Sequence, residues 1–358
     1  MQTRLTPLKG RAALANPAGR FERQVRERCD DGRAHDADEP PRVAQEVLPE
    51  QARTIIARNS SPDVPFSQSV NPYRGCEHGC IYCYARPSHA YIDLSPGLDF
   101  ERRLRFKANA AEVLARELAN PRYVCEPITL GANTDPYQPV EAGLGLTRRI
   151  LEVCERHAQP VTIITKSTLV LRDSDILARM AARGLCQLMV SVTTLDDALK
   201  RRLEPRTAAG AARLRAVRTL ADAGVPVGVL VAPVIPMIND AEIEAILAAS
   251  GAAGARKAAW ILLRLPWEVR ELFGEWLECH YPERAAHVMS LVRQSREGRE
   301  NDPRFGSRMR GSGPYADLIA RRFEVAARRC GLGGEDWPAL DCTQFRGAPA
   351  PARQLQLW

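Results

Sequence analysis

Short apolar runs alternate with longer amphipathic segments through the middle of the chain. The runs have the length and the Val, Ile and Leu content of buried strands, and the segments repeat apolar residues at helical spacing. The predicted strands are residues 67–73, 127–131, 161–165, 186–192, 225–234 and 258–263. The predicted helices between them are residues 146–157, 173–183, 211–223 and 240–250. This alternation predicts an α/β fold with a parallel sheet that helices cover on both faces.

The rest of the chain follows other patterns. Residues 1–53 are rich in Arg, Asp, Pro and Gly and lack periodicity, which predicts an irregular N-terminal extension. Apolar residues at helical spacing predict one helix over residues 99–119. The predicted division continues with a barrel core at 54–265, a helical C-terminal region at 266–345 and a flexible tail at 346–358.

Three cysteines, Cys76, Cys80 and Cys83, lie within eight residues in a C-x3-C-x2-C pattern, which we call the cysteine loop (residues 75–84). Three thiols cannot all pair as disulfides, so the pattern favours a metal core. A four-iron four-sulfur (4Fe-4S) cluster normally takes four cysteines, so three would leave one iron open for catalysis. The alternative is a zinc knuckle with His78, although zinc sites usually show two spaced ligand pairs and the sequence has no second pair.

Polar side chains follow several predicted strands. Asn133, Thr134 and Asp135 follow one strand, Lys166 follows the next, and Ser191 ends the one after that. Parallel strands bring such ends to one edge of the sheet, where ligands bind. The alternatives are a capped turn for the Asn and Asp residues and a solvated charge for the lysine.

Composition limits the class of protein. No apolar stretch approaches eighteen residues, and residues 1–7 lack the apolar core of a signal peptide. Ten cysteines, seven of them scattered singly, do not form a disulfide framework, so we expect a reducing cytoplasm. The net charge of +7 is compatible with nucleic-acid binding, but only five of the 50 basic residues are lysines, so the skew toward arginine also fits coding bias.

The motifs together resemble the spore photoproduct lyase-related branch of the radical S-adenosylmethionine (SAM) superfamily, in particular its uncharacterised bacterial members. The resemblance covers residues 55–345. The motifs are the cysteine loop with Tyr82 before its third cysteine, and residues 133–138, 165–167, 203–207 and 233–236. It implies a partial (β/α)6 radical SAM barrel with the irregular extension and the helical C-terminal region attached.

The resemblance also implies cofactors and site residues. Cys76, Cys80 and Cys83 would hold a 4Fe-4S cluster, and SAM would bind its open iron. Tyr82 would pack near adenine, and Lys166 and Ser191 would meet the methionyl group or the ribose. The other expected SAM-binding residues are Asn133, Thr134, Asp135 and Arg206.

The implied reaction is reductive cleavage of SAM to a 5′-deoxyadenosyl radical, which removes hydrogen from a substrate that the sequence does not identify. Tyr84 matches a tyrosine that the lyase uses in hydrogen transfer, so we expect it to be catalytic; Tyr137 is a second candidate relay, with aromatic packing as its alternative. The second strand lacks the cysteine hydrogen donor of the lyase, which argues against the same DNA repair. Nucleic acid remains a candidate substrate, with a protein or small molecule, or a non-catalytic redox module, as alternatives.

Three partners are expected. A flavodoxin or ferredoxin would supply electrons. The arginines between Arg293 and Arg329 would contact nucleic acid or form a solvated surface. The terminal residues Gln354, Leu355, Leu357 and Trp358 resemble the pentapeptide with which bacterial DNA-maintenance proteins bind the replication sliding clamp, with docking onto the barrel as the alternative.

Overall fold

A computed structural model describes residues 7–22 and 45–347. The strands in these ranges are β1 (Glu46–Glu50), β2 (Ile56–Arg58), β3 (Gln68–Val70), β4 (Tyr73–Arg74), β5 (Arg103–Lys107), β6 (Ile128–Leu130), β7 (Val161–Thr165), β8 (Cys186–Ser191), β9 (Val227–Val234) and β10 (Lys257–Leu262). The α-helices are α1 (Leu98–Arg102), α2 (Ala110–Leu118), α3 (Glu141–Leu144), α4 (Leu146–His157), α5 (Ser174–Ala181), α6 (Asp197–Leu203), α7 (Gly210–Asp222), α8 (Ile243–Ala252), α9 (Val269–His280), α10 (Pro282–Gln294), α11 (Ser307–Arg310) and α12 (Pro314–Arg329).

Seven strands form one sheet in the order β10-β9-β8-β7-β6-β3-β2. Strands β3, β6, β7, β8, β9 and β10 run parallel, and β2 pairs antiparallel with β3 at the edge. Strand β8 is buried along its whole length, as a strand covered on both faces must be. The α/β fold predicted from the alternation is confirmed, because the alternating strands and helices predicted from residue 127 to residue 263 each have a counterpart here.

A second sheet, with the order β1-β5-β4, was not predicted. Strand β5 separates α1 from α2, so the prediction of one helix over residues 99–119 is wrong. Residues 103–107 instead form a strand in which basic and apolar residues alternate and Leu104 is buried. This strand pairs with β1 on one side and β4 on the other, so tertiary pairing overrides the helical pattern. Strand β1 also lies within residues 1–53, so this stretch is not irregular throughout.

The cysteine loop follows β4 and packs into a hydrophobic cluster of its own. Ile81, which is fully buried, belongs to a cluster with Leu203 at the end of α6, Leu265 after β10 and Trp276 of α9. The helical C-terminal region therefore supports the loop from outside the sheet. None of the helices in the described ranges is long and apolar enough to cross a membrane.

Candidate active site

Two glycines give the cysteine loop its shape. Gly75 and Gly79 have φ angles of +78° and +65°, a region that side chains disfavour. A Cβ on Gly79 would lie 2.8 Å from Oε2 of Glu101, and one on Gly75 would lie 2.7 Å from Cδ2 of Leu104. The loop therefore turns tightly against α1 and β5, and neither position has room for a side chain.

A buried arginine, Arg86, holds the backbone of the cysteine loop by hydrogen bonds. Arg86 and Glu101 are both fully buried and form an ion pair. The Arg86 guanidinium also donates to the carbonyl oxygens of Cys80 at 2.9 Å, Gly79 at 3.0 Å and Gly97 at 2.9 Å. These bonds fix the backbone around the second cysteine.

A second buried ion pair lies beneath Tyr82. The fully buried Glu204 accepts hydrogen bonds from the hydroxyls of Tyr82, Thr193 (2.5 Å) and Thr207 (3.2 Å), and from Arg213. Burial raises the pKa of Glu204, but Arg213, Lys166 and these hydrogen bonds together lower it to about 2. Glu204 is therefore ionised and holds Tyr82 in place.

Lys166 lies beside the same group of residues, as the sequence predicts. Its Nζ is 5.9 Å from the ring centroid of Tyr82. Burial lowers the pKa of Lys166, while Cys80 and Glu204 raise it by more, so the side chain stays cationic. The end of β7 thus places a positive charge beside Tyr82 of the cysteine loop.

Asp135 connects three segments of the site. Its carboxylate accepts from the hydroxyl of Thr165 at 2.7 Å and from the backbone N–H groups of Lys166 and Tyr137, both at 2.8 Å. Nδ1 of His78, in the cysteine loop, lies 3.3 Å from it. Burial raises the pKa of Asp135, but His78 and the hydrogen bonds lower it to about 2. In this arrangement Asp135 orients the loop and the end of β7.

Other residues predicted to bind SAM differ in their contacts. Thr134 is buried, and its hydroxyl donates to the carbonyl of Tyr73 at 3.2 Å. The Asn133 N–H donates to Oδ1 of Asn71 at 3.0 Å, while the Asn133 side chain makes no hydrogen bond to the described residues. The hydrogen bond of Thr134 is thus used within the fold, whereas the Asn133 side chain stays available to a ligand.

The last two predicted SAM-binding residues lie apart from each other. Ser191 is buried at the end of β8, and its carbonyl accepts from Arg213 at 2.9 Å. Arg206 pairs with Glu77 at 2.9 Å and borders a cavity of about 430 Å³ that Glu77 and Gln45 also line. Arg206 is thus connected through Glu77 to Gln45, the residue before β1.

Tyr84 occupies the open end of the barrel. Its side chain is 50% exposed, its hydroxyl donates to the carbonyl of Ala132 after β6, and the guanidinium carbon of Arg264 lies 5.9 Å from its ring centroid. Tyr137 is instead fully buried in the main hydrophobic core, which favours the packing alternative for it. Of the two candidate relays, Tyr84 is the one that a substrate can reach.

The thiols suit a cluster with three cysteine ligands. Cys76, Cys80 and Cys83 are all free, and the first two are buried. Among the residues that the structure describes, no three His, Cys, Asp or Glu side chains stand close enough to hold a single metal ion. Three free thiols on one tight loop match a 4Fe-4S cluster that keeps one iron open.

Sequence reasoning missed the residues that stabilise the site. Glu204 belongs to the motif at residues 203–207 but has no role assigned from sequence, and no pattern in the sequence separates Arg86, Arg213 or Arg264 from other arginines. The sequence holds 45 arginines, 50 basic residues less five lysines, so a buried arginine has no local signal that separates it from a surface one.

Five of the ten arginines from Arg293 to Arg329 are held by neighbouring residues. Arg296 is buried and donates to backbone carbonyls, whereas Arg308 pairs with Asp63. Arg293, Arg304 and Arg322 pair with Glu300, Asp302 and Glu244. The tail prediction, Gln354, Leu355, Leu357 and Trp358, lies outside the described residues.

Known proteins share both the sequence and the fold. Residues 70–249 match the family model of the Radical SAM superfamily. An uncharacterised protein of Mycobacterium tuberculosis is 37% identical over 291 residues, which are 81% of this chain and 82% of that protein. One from Methanocaldococcus jannaschii is 27% identical over 55% of this chain and 71% of its own.

Among solved structures, spore photoproduct lyase complexed with dinucleoside spore photoproduct matches with a TM-score of 0.59 at 15% identity, over 80% of this chain and 81% of that one. A mutant of the same lyase with bound AdoMet and dinucleoside spore photoproduct matches with a TM-score of 0.52 at 17% identity, over 79% of this chain and 78% of that one. At these identities the likeness concerns the fold.

Proposed function

The chain belongs to the radical SAM superfamily, whose members are enzymes, and on that premise we propose that it cleaves SAM reductively to start radical chemistry on a substrate. Cys76, Cys80 and Cys83 would hold the 4Fe-4S cluster. The cluster and SAM, when bound, supply an electron and a 5′-deoxyadenosyl radical. The observation that carries the proposal is the convergence of Cys80, Lys166 and Tyr82 at one end of the parallel sheet.

The chain's own residues bind and orient. The Lys166 ammonium is positioned to pair with a carboxylate beside the second cysteine, which is the role expected for the methionyl end of SAM. Tyr82, held by Glu204, offers its ring as an apolar surface next to that charge. The Asn133 amide remains available for a further hydrogen bond. Burial of Cys76 and Cys80 excludes water from the metal site.

Tyr84 is proposed as the catalytic residue that meets the substrate. It follows Cys83 directly and its side chain is half exposed at the open end of the barrel, so the residue lies between the cysteine loop and that opening. Nucleic acid is the proposed substrate class, supported by the barrel shared with a lyase whose structure contains a dinucleoside photoproduct. A flavodoxin or ferredoxin would be the reductant.

The test is formation of 5′-deoxyadenosine by anaerobically reconstituted, reduced protein, quantified by chromatography with and without single-stranded and duplex DNA. We expect slow formation without DNA and faster formation with it. No 5′-deoxyadenosine under any condition would leave the redox module as the better account. Formation that DNA does not change would redirect the search to protein or small-molecule substrates.

The tail supports a separate proposal. Gln354, Leu355, Leu357 and Trp358 end a segment with the composition of a tether, so we propose that they bind the sliding clamp. A peptide of residues 346–358 should bind the clamp, and the same peptide with Gln354→Ala and Leu357→Ala should not. Equal binding by both peptides, or by neither, would refute it.

A further inference from the structure

One guanidinium at the open end of the barrel has no counter-charge. Arg264 lies two residues after β10, with its Nη1 at 3.5 Å from Sδ of Met309. Its Nε is buried and has no hydrogen-bond partner. Its guanidinium carbon lies 5.9 Å from the ring centroid of Tyr84, the residue that follows the third cysteine. No carboxylate in the described residues pairs with it.

The neighbouring carboxylates are already engaged. Asp63 pairs with Arg308, accepting at 2.6 Å from its Nε and through a second bond. Asp302 accepts from Arg304 at 3.0 Å. Arg296 has only carbonyl partners, among them Leu263, at 2.9 Å, and Arg308, also at 2.9 Å. Two guanidiniums, those of Arg264 and Arg296, therefore form no ion pair with a carboxylate of the described residues; Asp63 and Asp302 favour their charged forms only from a distance.

Such a charge is costly in a folded protein. Burial lowers the pKa of Arg264, and Arg308 lowers it further, because both disfavour the charged form. Arginine nevertheless stays protonated in proteins, so the cost is not relieved by loss of a proton. Buried charges are normally paired, as Arg86 and Arg213 are here, and an unpaired one at an open mouth marks a place where a ligand can supply the anion.

We propose that Arg264 binds a phosphate group of the substrate, and that it thereby determines which substrates reach Tyr84. Two guanidiniums without an ion-pair partner favour a phosphate over a single carboxylate, and the planar fork of arginine matches phosphate oxygens. Besides Tyr84, a second exposed ring lies in this region: Phe305 is 58% exposed, and its ring centroid is 4.7 Å from the guanidinium carbon of Arg308, the residue before the Met309 that Arg264 contacts. A phosphate beside two exposed rings is the chemistry of a nucleotide. The inference rests on the proposed function, since it assigns a substrate group to the same mouth.

The experiment measures binding by the cluster-loaded protein under anaerobic conditions, separately from turnover. The probes are a fluorescein-labelled single-stranded oligonucleotide, the same oligonucleotide with uncharged methylphosphonate linkages, and unlabelled 5′-mononucleotides as competitors. The variants are Arg264→Gln and Arg264→Lys. Arg215→Gln, which removes an equal charge from the exposed face of α7, is the control.

We expect Arg264→Gln to weaken binding of the phosphodiester probe at least about tenfold, which is the low end of a lost charge-assisted contact. Arg264→Lys should retain part of the affinity, Arg215→Gln all of it, and the methylphosphonate probe should bind weakly to every form. Competition by micromolar mononucleotide would identify a small phosphorylated substrate, and its absence a nucleic-acid strand; both support phosphate recognition.

Three results would overturn the inference. The first is equal binding of the charged and uncharged probes, and the second is no binding of any phosphate probe by the wild-type protein. The third is an Arg264→Gln variant that loses SAM binding while keeping probe affinity, because Arg264 would then serve the cofactor. If the wild-type protein forms no 5′-deoxyadenosine yet shows Arg264-dependent phosphate binding, the proposed enzyme activity fails and the phosphate site stands.

Discussion

The two sides of the barrel mouth contain arginines with opposite surroundings. Beneath the cysteine loop, Arg86 and Arg213 are each paired with a fully buried carboxylate. At the end of β10, Arg264 has no carboxylate among the described residues and an unpartnered Nε. On the first side the two arginine charges are paired within the chain, as expected of a frame that holds a cofactor. The second side requires an anion from outside, as expected of a surface that receives a substrate.

The largest effect should follow removal of a cluster ligand. Cys80→Ala should abolish the visible absorbance of reconstituted protein and reduce 5′-deoxyadenosine below detection, because the remaining two thiols cannot hold the cluster. Cys330→Ala, a half-buried cysteine at the end of α12, should keep both. Full iron loading of the Cys80→Ala protein would contradict the assignment.

The next effect tests the comparison directly through stability. Arg213→Met leaves Glu204 as an uncompensated buried charge and should lower the free energy of unfolding by about 3–5 kcal/mol. Arg264→Met removes a charge that has no ion-pair partner. It should therefore lower the free energy of unfolding by less than about 1 kcal/mol, or raise it. Urea unfolding of the cluster-free proteins measures both, and equal losses would mean that the two sides do not differ.

The sequence predicted the barrel well and its surroundings poorly, for a physical reason. Helix α4 and strand β7 have the predicted boundaries because the periodicity that defines them is local. Strand β5 was missed because its state depends on pairing with β1, more than fifty residues earlier in the chain.

The candidate site likewise contains residues that the sequence predicts and residues that only the structure reveals. Spacing within the sequence predicts Cys76, Cys80 and Cys83 as cluster ligands, and the end of a strand makes Lys166 a candidate for the SAM site; both remain predictions. Spacing does not reveal which arginines meet which glutamates, because partners such as Arg86 and Glu101 are set by the packing of separate segments. The residues that complete the frame could therefore only be found in three dimensions.

The shape of the loop gives a third prediction. Gly79→Ala should destabilise the protein by about 1–3 kcal/mol and reduce iron loading, because a Cβ at this positive φ strains the backbone and would lie 2.8 Å from Glu101. Gly143→Ala, where a Cβ meets nothing within 4 Å, should leave iron loading unchanged. Thermal unfolding and iron analysis of both variants test this, and normal loading of the Gly79→Ala protein would count against the tight turn.

A smaller effect should separate cofactor binding from cluster binding. Lys166→Met should weaken SAM binding about tenfold, the loss of one charge-assisted contact, without lowering iron content. Lys257→Met is the matched control. Lys257 is the first residue of β10, and its ammonium lies over the ring of Trp337. Equilibrium dialysis with labelled SAM gives the affinities. Unchanged affinity in the Lys166→Met protein would remove Lys166 from the SAM site.

The smallest effect is expected from exposed arginines outside the mouth. Arg328→Gln and Arg329→Gln, at the exposed end of α12, should each change oligonucleotide affinity by less than about threefold at moderate salt, because such charges are screened by solvent and ions. Binding across a salt series measures this. A loss of oligonucleotide affinity as large as that expected for Arg264→Gln would indicate that the arginines between Arg293 and Arg329 make the main contact with nucleic acid.

The most direct test of the frame beneath the cysteine loop is the electron paramagnetic resonance spectrum of the reduced protein before and after SAM is added. The account predicts the signal of a 4Fe-4S cluster, and a clear change in that signal with SAM, because three cysteines leave one iron for the cofactor. The change should persist in Arg264→Gln and weaken in Lys166→Met. A spectrum that SAM leaves unaltered, or protein that holds stoichiometric zinc and no iron, would contradict the account.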